Sequence, residues 1–552
     1  MGKIVVIGGV AAGASAAVKA RRVDETAEIV IFERGAYVSW ANCGLPYYVG
    51  GEIKEQESLV LVNEQAFDRR FNIKVRCLHE VQNIDRDNKL VRGINLSTGE
   101  AFEENYDKLV LAPGCRPIRP NLPGIDLAGI FTITTIPEAK RLRSFIETRT
   151  IRKAVVIGGG FIGLECLEAL LNRGIKTLLV EGTEHVLPPF DPEMVTDVHK
   201  YLARRGVTLC LGAMVSGFSG TTAVQRVQLS SGESLEADLV VLSIGVIPET
   251  KLAVEAGLDI GETRGIVVSE RMQSSDPDIF AAGDAVETVH WVTGKKTRIA
   301  LAGPANKQGR VAGANAAGGN MLYTGAAGSS IVKIGVMAAG KTGISEQEAI
   351  NEGLSHFCSY VHPANHAGYY PGGTGMTIKL VVENKSGRLL GAQVVGHQGV
   401  DKRIDGFAAA IYAKLSVNAL EDFDLSYAPP FSSAKDPVIL AGFVASNILR
   451  GEVQAITPRE LDARLQSGDE LVVVDVRTKE EFAQAHIPGA ISLPLESLRK
   501  YYLELNPEKE IVLNCRVGYR SYLAYKILEG NGFKNLKNLS GGFLSWVQWI
   551  ER

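Results

Sequence analysis

The sequence predicts an α/β protein of several domains, and three observations carry that prediction. Two Val/Ile runs each open into a glycine turn and then a stretch with helical periodicity: KIVVIGGVAAGASAAVKARR at the start, and KAVVIGGGFIGLECLEALLNRG from Lys153. From about Tyr323 the texture changes to IVKIGVMAAGKTGISE, MTIKLVVEN and LLGAQVVG, separated by NKSG-type turns. Such short alternating segments are the mark of antiparallel strands. Past a linker near GEVQAITPRE, LVVVDVR and EIVLNC read as buried parallel strands of a further α/β region. At roughly 150 residues per domain, a chain of 552 residues is expected to hold three or four.

Taken in order, each glycine turn is followed by a second apolar strand ending in an acid. EIVIFE closes at Glu33 and KTLLVE at Glu181. Strand, glycine turn, helix, strand and acid make a dinucleotide-binding βαβ unit. The glycines permit a tight turn and close backbone approach, the helix N-terminus meets a pyrophosphate, and the acid bonds a ribose hydroxyl. The second copy is a full GxGxxG at Gly158, Gly160 and Gly163; the first keeps Gly8 and Gly13 but has Val10 in the middle. DPDIFAAGDAVE, 276–287, is a third apolar strand, ending in Gly-Asp. Two helical stretches follow the alternating strands, DGFAAAIYAKLS and DPVILAGFVASNILRG.

Composition narrows the class. Net charge is −3, with 45% hydrophobic and 22% charged residues, which offers no electrostatic case for nucleic acid or an anionic membrane. No apolar run approaches the roughly 18 residues that would span a bilayer. The apolar N-terminus reads as a strand turning into a helix rather than a secretory segment, and Val6 breaks the myristoylation pattern. The seven cysteines, at 43, 77, 115, 166, 210, 358 and 515, show no CxxC and no metal-ligand spacing. No metal is expected, and a reducing, cytoplasmic setting fits best.

Two of those cysteines look placed. Cys43 lies in SWANCGLPYYVGG, where Asn42, Gly44 and Pro46 suggest a turn into a short helix whose N-terminal amides would stabilise a thiolate. Cys515 follows the strand IVLN and starts the loop Cys-Arg-Val-Gly-Tyr-Arg-Ser. Backbone N–H groups of such a loop can wrap the sulfur as an anion nest, and Arg516 and Arg520 add positive charge. Asp475 and Arg477 read as structural, with Arg477 bonding the loop from below. On the first helix Ser15, Lys19 and Arg22 fall at i, i+4 and i+7, on one face. Lys19 and Arg22 are placed to grip phosphate groups, or form a solvated basic face.

The first roughly 450 residues resemble the flavin- and nicotinamide-dependent disulfide reductases. FAAGDA, with Gly283 and Asp284, is similar to that family's flavin-ribityl motif, and LVLAPGCRP resembles its strand between flavin and nucleotide halves. The last 95 or so residues resemble a rhodanese in VVVDVRTKEEFAQAHIPGA, NCRVGYRS and NLSGGFLSW. Tyr48 stands where dithiol members carry a second cysteine, and the C-terminal His-Glu pair is absent from YAPPFSSAKDP. The chain is therefore similar to the single-cysteine branch, and as a whole to coenzyme A disulfide reductase–rhodanese fusions. That resemblance implies two Rossmann-like dinucleotide-binding domains, an α+β dimerisation domain and a C-terminal α/β rhodanese domain. The expected borders are 1–150 with 276–322 for FAD, 151–275 for NAD(P)H, 323–450 for dimerisation and 457–552 for the rhodanese.

The same resemblance implies site residues. Cys43 would stand beside the flavin, which Gly8, Gly13, Glu33, Arg34, Gly283 and Asp284 would hold. Gly158, Gly160, Gly163 and Glu181 would bind the nicotinamide nucleotide. The acid at 181 favours NADH, with NADPH an alternative. Ser15, Lys19, Arg22, Ser39 and Asn42 match coenzyme A contacts, and Asn306 and Lys435 match more loosely. Tyr427 and one of Tyr369 and Tyr370 match tyrosines brought in from the partner subunit of a homodimer, where a phenol can protonate a departing thiolate. Cys515, with Arg516, Gly518 and Arg520, would carry sulfane sulfur.

The expected activity is NADH-dependent reduction of persulfides, polysulfides, coenzyme A persulfide and coenzyme A disulfide. The alternatives are an NADH peroxidase or oxidase cycling Cys43 through a sulfenic acid, and a rhodanese module that only docks a partner protein.

Overall fold

The computed structural model describes residues 2–552. Contacts divide the chain into two units: Met1–Thr183 with Gly206–Gly328, and Glu184–Arg205 with Ser329–Arg552. The segment Glu184–Arg205 lies within the range 151–275 expected for a single domain.

The first unit is built on two five-stranded parallel sheets. One has the order Ile279–Ala281, Lys108–Leu111, Lys3–Ile7, Glu28–Glu33, Lys74–Cys77. The other runs Thr208–Cys210, Lys176–Val180, Lys153–Ile157, Leu239–Leu242, Ile130–Phe131. Their inner strands are nearly continuous Val/Ile/Leu runs because both faces are covered by other elements. Each central strand ends at a glycine with positive φ, Gly8 at 93° and Gly158 at 104°, a conformation that a side chain resists. A Cβ on Gly13 would stand 1.8 Å from the Gly8 carbonyl oxygen, and one on Gly163 1.9 Å from that of Gly158. The helix Ala302–Ala316 crosses Ala11–Val23 closely. Gly309 and Gly313 make room there, since Cβ atoms would meet the carbonyl oxygens of Ala12 and Ala16 at 2.1 and 2.0 Å.

The second unit holds an antiparallel sheet in the order Ser330–Ile334, Met337–Gly343, Leu389–Gly396, Met376–Glu383, His356–Val361. It also holds a parallel sheet, Ala455–Ile456, Leu536–Leu539, Glu510–Asn514, Leu471–Asp475, Ile491–Ser492. The C-terminal helix Gly542–Ile550 is anchored within this unit by buried polar contacts. Tyr360 N donates to Ser540 Oγ at 2.9 Å, His362 Nε2 lies 2.8 Å from Ser545 Oγ, and Gln548 Nε2 donates to Asp197 and Thr377 at 2.8 and 3.0 Å.

One buried cluster ties Glu184–Arg205 to the antiparallel sheet. Lys379 is fully buried, and its Nζ lies 2.8 Å from Asp191, 2.5 Å from Glu193 and 2.6 Å from Glu346. Tyr360 donates its phenol to Glu193 at 2.7 Å, and Gln393 donates to Asp191 at 2.5 Å. The three carboxylates have the grouping of a metal site, but the ammonium stands among them and serves as their cation.

Candidate functional site: two thiols and two glycine turns

The helices that follow the glycine turns, Ala11–Val23 and Phe161–Asn172, have no side-chain cap at their N-termini. Their first-turn amides are left for an acceptor from outside the helix, the donor set that a pyrophosphate takes. Gly160 faces open space, so a phosphate can come close to the backbone. The two acids close their own turns. Glu33 accepts from Gly9 N and Gly35 N, both at 2.7 Å, and Glu181 accepts from Gly159 N at 2.6 Å and Thr183 N at 2.9 Å. Each carboxylate is thereby held at the end of its strand. Gly283 has φ 89° and donates to Gln308, while Arg34 pairs with Glu249 at 3.6 Å. Asp284 accepts from the Cys115 thiol at 3.3 Å. Burial raises the pKa of both groups, that of Cys115 to about 12. These residues fit a dinucleotide on each glycine turn.

Cys43 sits in a 3-10 turn, Asn42–Gly44, that runs directly into the helix Leu45–Gly50. The expected turn into a short helix is there. The expected stabilised thiolate is not. Solvent reaches the side chain, yet the protein packed around the sulfur desolvates it and pushes its pKa up. The carboxylates of Glu165 and Asp284 push it further. Asn42 accepts from Cys43 N at 3.0 Å and lies 3.6 Å from its sulfur.

Among the residues expected to meet coenzyme A, Ser15 donates to Asn306 at 2.6 Å, so the two helices present that pair together. Lys19 and Arg22 follow Ser15 along Ala11–Val23. Ser39 takes a left-handed φ of 47° and its N–H donates to Gly9 O at 2.8 Å, which ties the Cys43 segment to the first glycine turn.

In the second unit Tyr369 and Tyr427 bring their phenol oxygens to 2.7 Å while remaining 75% and 48% exposed. Tyr370 instead stands edge-on to His366, with ring centroids 5.5 Å apart. Of the two neighbours, Tyr369 is the one paired with Tyr427. Lys435 is exposed beside the buried Asp436.

Cys515 is fully buried at the end of Glu510–Asn514, and its sulfur accepts from Gly518 N at 3.1 Å and Ser521 Oγ at 3.4 Å. One loop amide and one hydroxyl thus reach the sulfur. Arg520 is held by a two-pronged bond to Glu481, at 2.7 and 2.8 Å, and its guanidinium also feels the Cys515 sulfur. Arg516 is exposed. Arg477 does not bond the loop: it pairs with Asp475 at 2.7 Å, donates to Ala485 O at 2.7 Å, and lies over the Phe543 ring. The loop is instead braced by Gly542, where a Cβ would stand 2.3 Å from Cys515 O and 2.8 Å from Gly518 N.

Tyr47 and Glu165, joined at 3.1 Å, and Cys115 were not singled out from sequence. The only available sign for Tyr47 was its position four residues past Cys43.

The chain thus carries two dinucleotide-type glycine turns, a thiol whose segment is tied to the first of them, and a second thiol in a loop of the other unit. Residues 2–309 match the family model for pyridine nucleotide-disulphide oxidoreductases, 329–437 that family's dimerisation domain, and 457–548 the rhodanese-like domain. The chain belongs to the pyridine nucleotide-disulphide oxidoreductases, with a rhodanese domain at its C-terminal end. It is 37% identical over 438 residues to a CoA-dependent NAD(P)H sulfur oxidoreductase of Pyrococcus abyssi, covering 79% of this chain and 96% of the relative. It is 32% identical to a coenzyme A disulfide reductase of Staphylococcus haemolyticus, covering 81% and 100%. Two solved structures span almost the whole chain. The reduced CoADR-RHD of Bacillus anthracis has a TM-score of 0.97 and 42% identity, covering 100% and 98%. An NAD-dependent persulfide reductase from A. fulgidus has a TM-score of 0.91 and 39% identity, covering 99% and 100%.

Proposed function

We infer that this chain is an NAD(P)H-dependent flavoenzyme that reduces sulfur–sulfur bonds in persulfides, polysulfides, coenzyme A persulfide and coenzyme A disulfide. The observation that carries this is the pairing, on one chain, of a thiol beside a dinucleotide turn with a buried thiol that accepts from a loop amide and a hydroxyl. Bound FAD supplies the two-electron relay between nicotinamide and sulfur.

The chain's own residues do the rest. Cys515 takes up sulfane sulfur, and the amide of Gly518 and the hydroxyl of Ser521 hold the terminal anion. Lys19 and Arg22 bind coenzyme A phosphates while Ser15, Ser39, Asn42, Asn306 and Lys435 line its path. Cys43 forms the mixed disulfide or persulfide whose S–S bond is cleaved. Gly8, Gly13, Glu33, Arg34, Gly283 and Asp284 hold FAD, and Gly158, Gly160, Gly163 and Glu181 hold the nicotinamide nucleotide. The protein works as a homodimer in which Tyr427 and Tyr369, an exposed hydrogen-bonded pair, protonate the departing thiolate across the subunit boundary. Glu181 makes NADH the preferred donor, and the setting is the reducing cytoplasm.

Anaerobic NADH oxidation with coenzyme A persulfide, polysulfide, coenzyme A disulfide and peroxide in parallel tests this, with Cys43→Ser and Cys515→Ser beside the wild type. Loss of all turnover in the first variant, and of persulfide or polysulfide turnover alone in the second, is expected. Faster turnover with peroxide than with any sulfur substrate would overturn it in favour of a peroxidase. Full sulfur activity in Cys515→Ser would reduce the rhodanese domain to a docking module.

A further inference from the structure

The two loops that carry the exposed pair Tyr369 and Tyr427 meet over one buried guanidinium. Arg403 stands on the helix Val400–Tyr412 and is fully buried. Its Nη2 donates to Asn365 O at 2.9 Å, to Asp436 at 3.0 Å and to Ser432 Oγ at 3.2 Å, and its Nη1 donates to Gly399 O at 3.2 Å. A Cβ on Gly399 would stand 2.3 Å from Nη1, so the glycine makes room for the group. Asn365 closes the loop around Tyr369: its N–H donates to Thr374 O and its side-chain oxygen accepts from Thr374 N, both at 2.8 Å. Ser432 closes the turn after Tyr427, its N–H donating to Ala428 O at 3.1 Å and its hydroxyl to Asp436 at 2.6 Å. The loops also touch directly, Ala367 N donating to Ser432 O at 3.1 Å. The bond between the two exposed phenols competes with water and adds little by itself. The buried contacts beneath it set the two loops side by side.

We propose that Arg403 is the positioning residue that sets Tyr369 against Tyr427. This rests on the reading of that pair as the acid for the departing thiolate. A planar fork reaches the Asn365 carbonyl, the Ser432 hydroxyl and the Asp436 carboxylate from one point. A lysine ammonium in its place neutralises Asp436 but does not also span to the Asn365 carbonyl. The neighbouring Lys402 adds a longer strut, its Nζ lying 3.3 Å from both Ser426 O and Asp436, and Ser426 is the residue before Tyr427. The start of one helix therefore holds the base of both tyrosine loops. A catalytic group misplaced by about 1 Å loses up to about a hundredfold in rate, so this bracing acts on the chemical step rather than on substrate binding.

Two readouts test this in the flavin-loaded protein. The first is photo-oxidative cross-linking with tris(bipyridyl)ruthenium and persulfate, which takes one electron and one proton from each phenol and joins two neighbouring rings by a carbon–carbon bond. It is read by mass on the joined peptides that contain residues 369 and 427, from protein of monomer size. The second is steady-state reduction of coenzyme A disulfide by NADH. Arg403→Lys is expected to lower the cross-link yield and kcat each by about tenfold or more, with KM unchanged, and to add nothing to the loss in Tyr427→Phe. Ser432→Ala keeps the buried pair of Arg403 and Asp436, and with it the fold, and lowers both readouts by about threefold. An undiminished cross-link in Arg403→Lys and Ser432→Ala overturns the inference, as does a further fall in kcat when Arg403→Lys is added to Tyr427→Phe. A lost cross-link in Arg403→Lys beside full kcat in Tyr427→Phe keeps the positioning by Arg403 and removes the phenol from the functional reading instead.

Discussion

Replacing Lys379 by Met removes the one cation from a buried group of three carboxylates. Lys379 is fully buried and within 2.8 Å of Asp191, Glu193 and Glu346. Taking one partner from a buried ion pair costs about 3–5 kcal/mol, because the abandoned charge stays desolvated. With three abandoned carboxylates the upper end applies at neutral pH. For a unit of roughly 250 residues that corresponds to a fall in its melting temperature of about 10 °C. The pH dependence carries the signature. In the wild type, Asp191 is held down to about 2 by Lys379 and by hydrogen bonds. An acid with a depressed folded pKa contributes stability above its unfolded value of about 3.9, which is lost as pH falls toward 2. In Lys379→Met Asp191 lacks the ammonium, burial raises its folded pKa, and acidification relieves the variant. The gap between the two proteins should therefore be widest near pH 7 and close below about pH 5. Thermal unfolding of both proteins between pH 4 and 8 measures it. A gap under about 1 kcal/mol at pH 7, or one that does not narrow on acidification, would refute the reasoning.

Three further outcomes follow from particular contacts. His362 is half-buried between Thr377 and Ser545, and desolvation lowers its pKa to about 4; the unfolded chain then binds the extra proton between about pH 6.5 and 4, so unfolding experiments should show about 2 kcal/mol lost between pH 7.5 and 5, a slope that His362→Gln removes. Gly542→Ala places a Cβ against Cys515 O and Gly518 N at a φ of 62°, so sulfur transfer measured with thiosulfate and cyanide should fall at least tenfold while NADH-dependent reduction of coenzyme A disulfide persists. Glu481→Gln breaks the two-pronged bond to Arg520, a partly exposed pair, so thermal unfolding should show a loss of no more than about 1 kcal/mol.

What could be read from the chain alone was what short stretches encode. A strand, a glycine turn and a helix lie within some twenty residues, and the acid that closes each turn is 24 residues from Gly9 in one copy and 22 from Gly159 in the other. Backbone geometry at Gly8 and Gly158 admits little but glycine, so local sequence determines those turns. The same holds for the alternating strands of the antiparallel sheet, whose period of two is a local property, and for the loop at Cys515, whose sulfur is held by Gly518 and Ser521 three and six residues on.

Charge and pairing were decided elsewhere. Arg520 meets Glu481 across 39 residues and Lys379 meets Glu193 across 186; no spacing rule forecasts either. Tyr369 rather than Tyr370 reaches Tyr427 because of how two loops 58 residues apart are set beside each other. The acidity of Cys43 followed the same rule. Desolvation and the fields of Glu165 and Asp284 act on it through space. Sequence determined which groups are present and the backbone that carries them; the tertiary structure decided their ionisation, because an electrostatic energy depends on distance and burial and not on position along the chain.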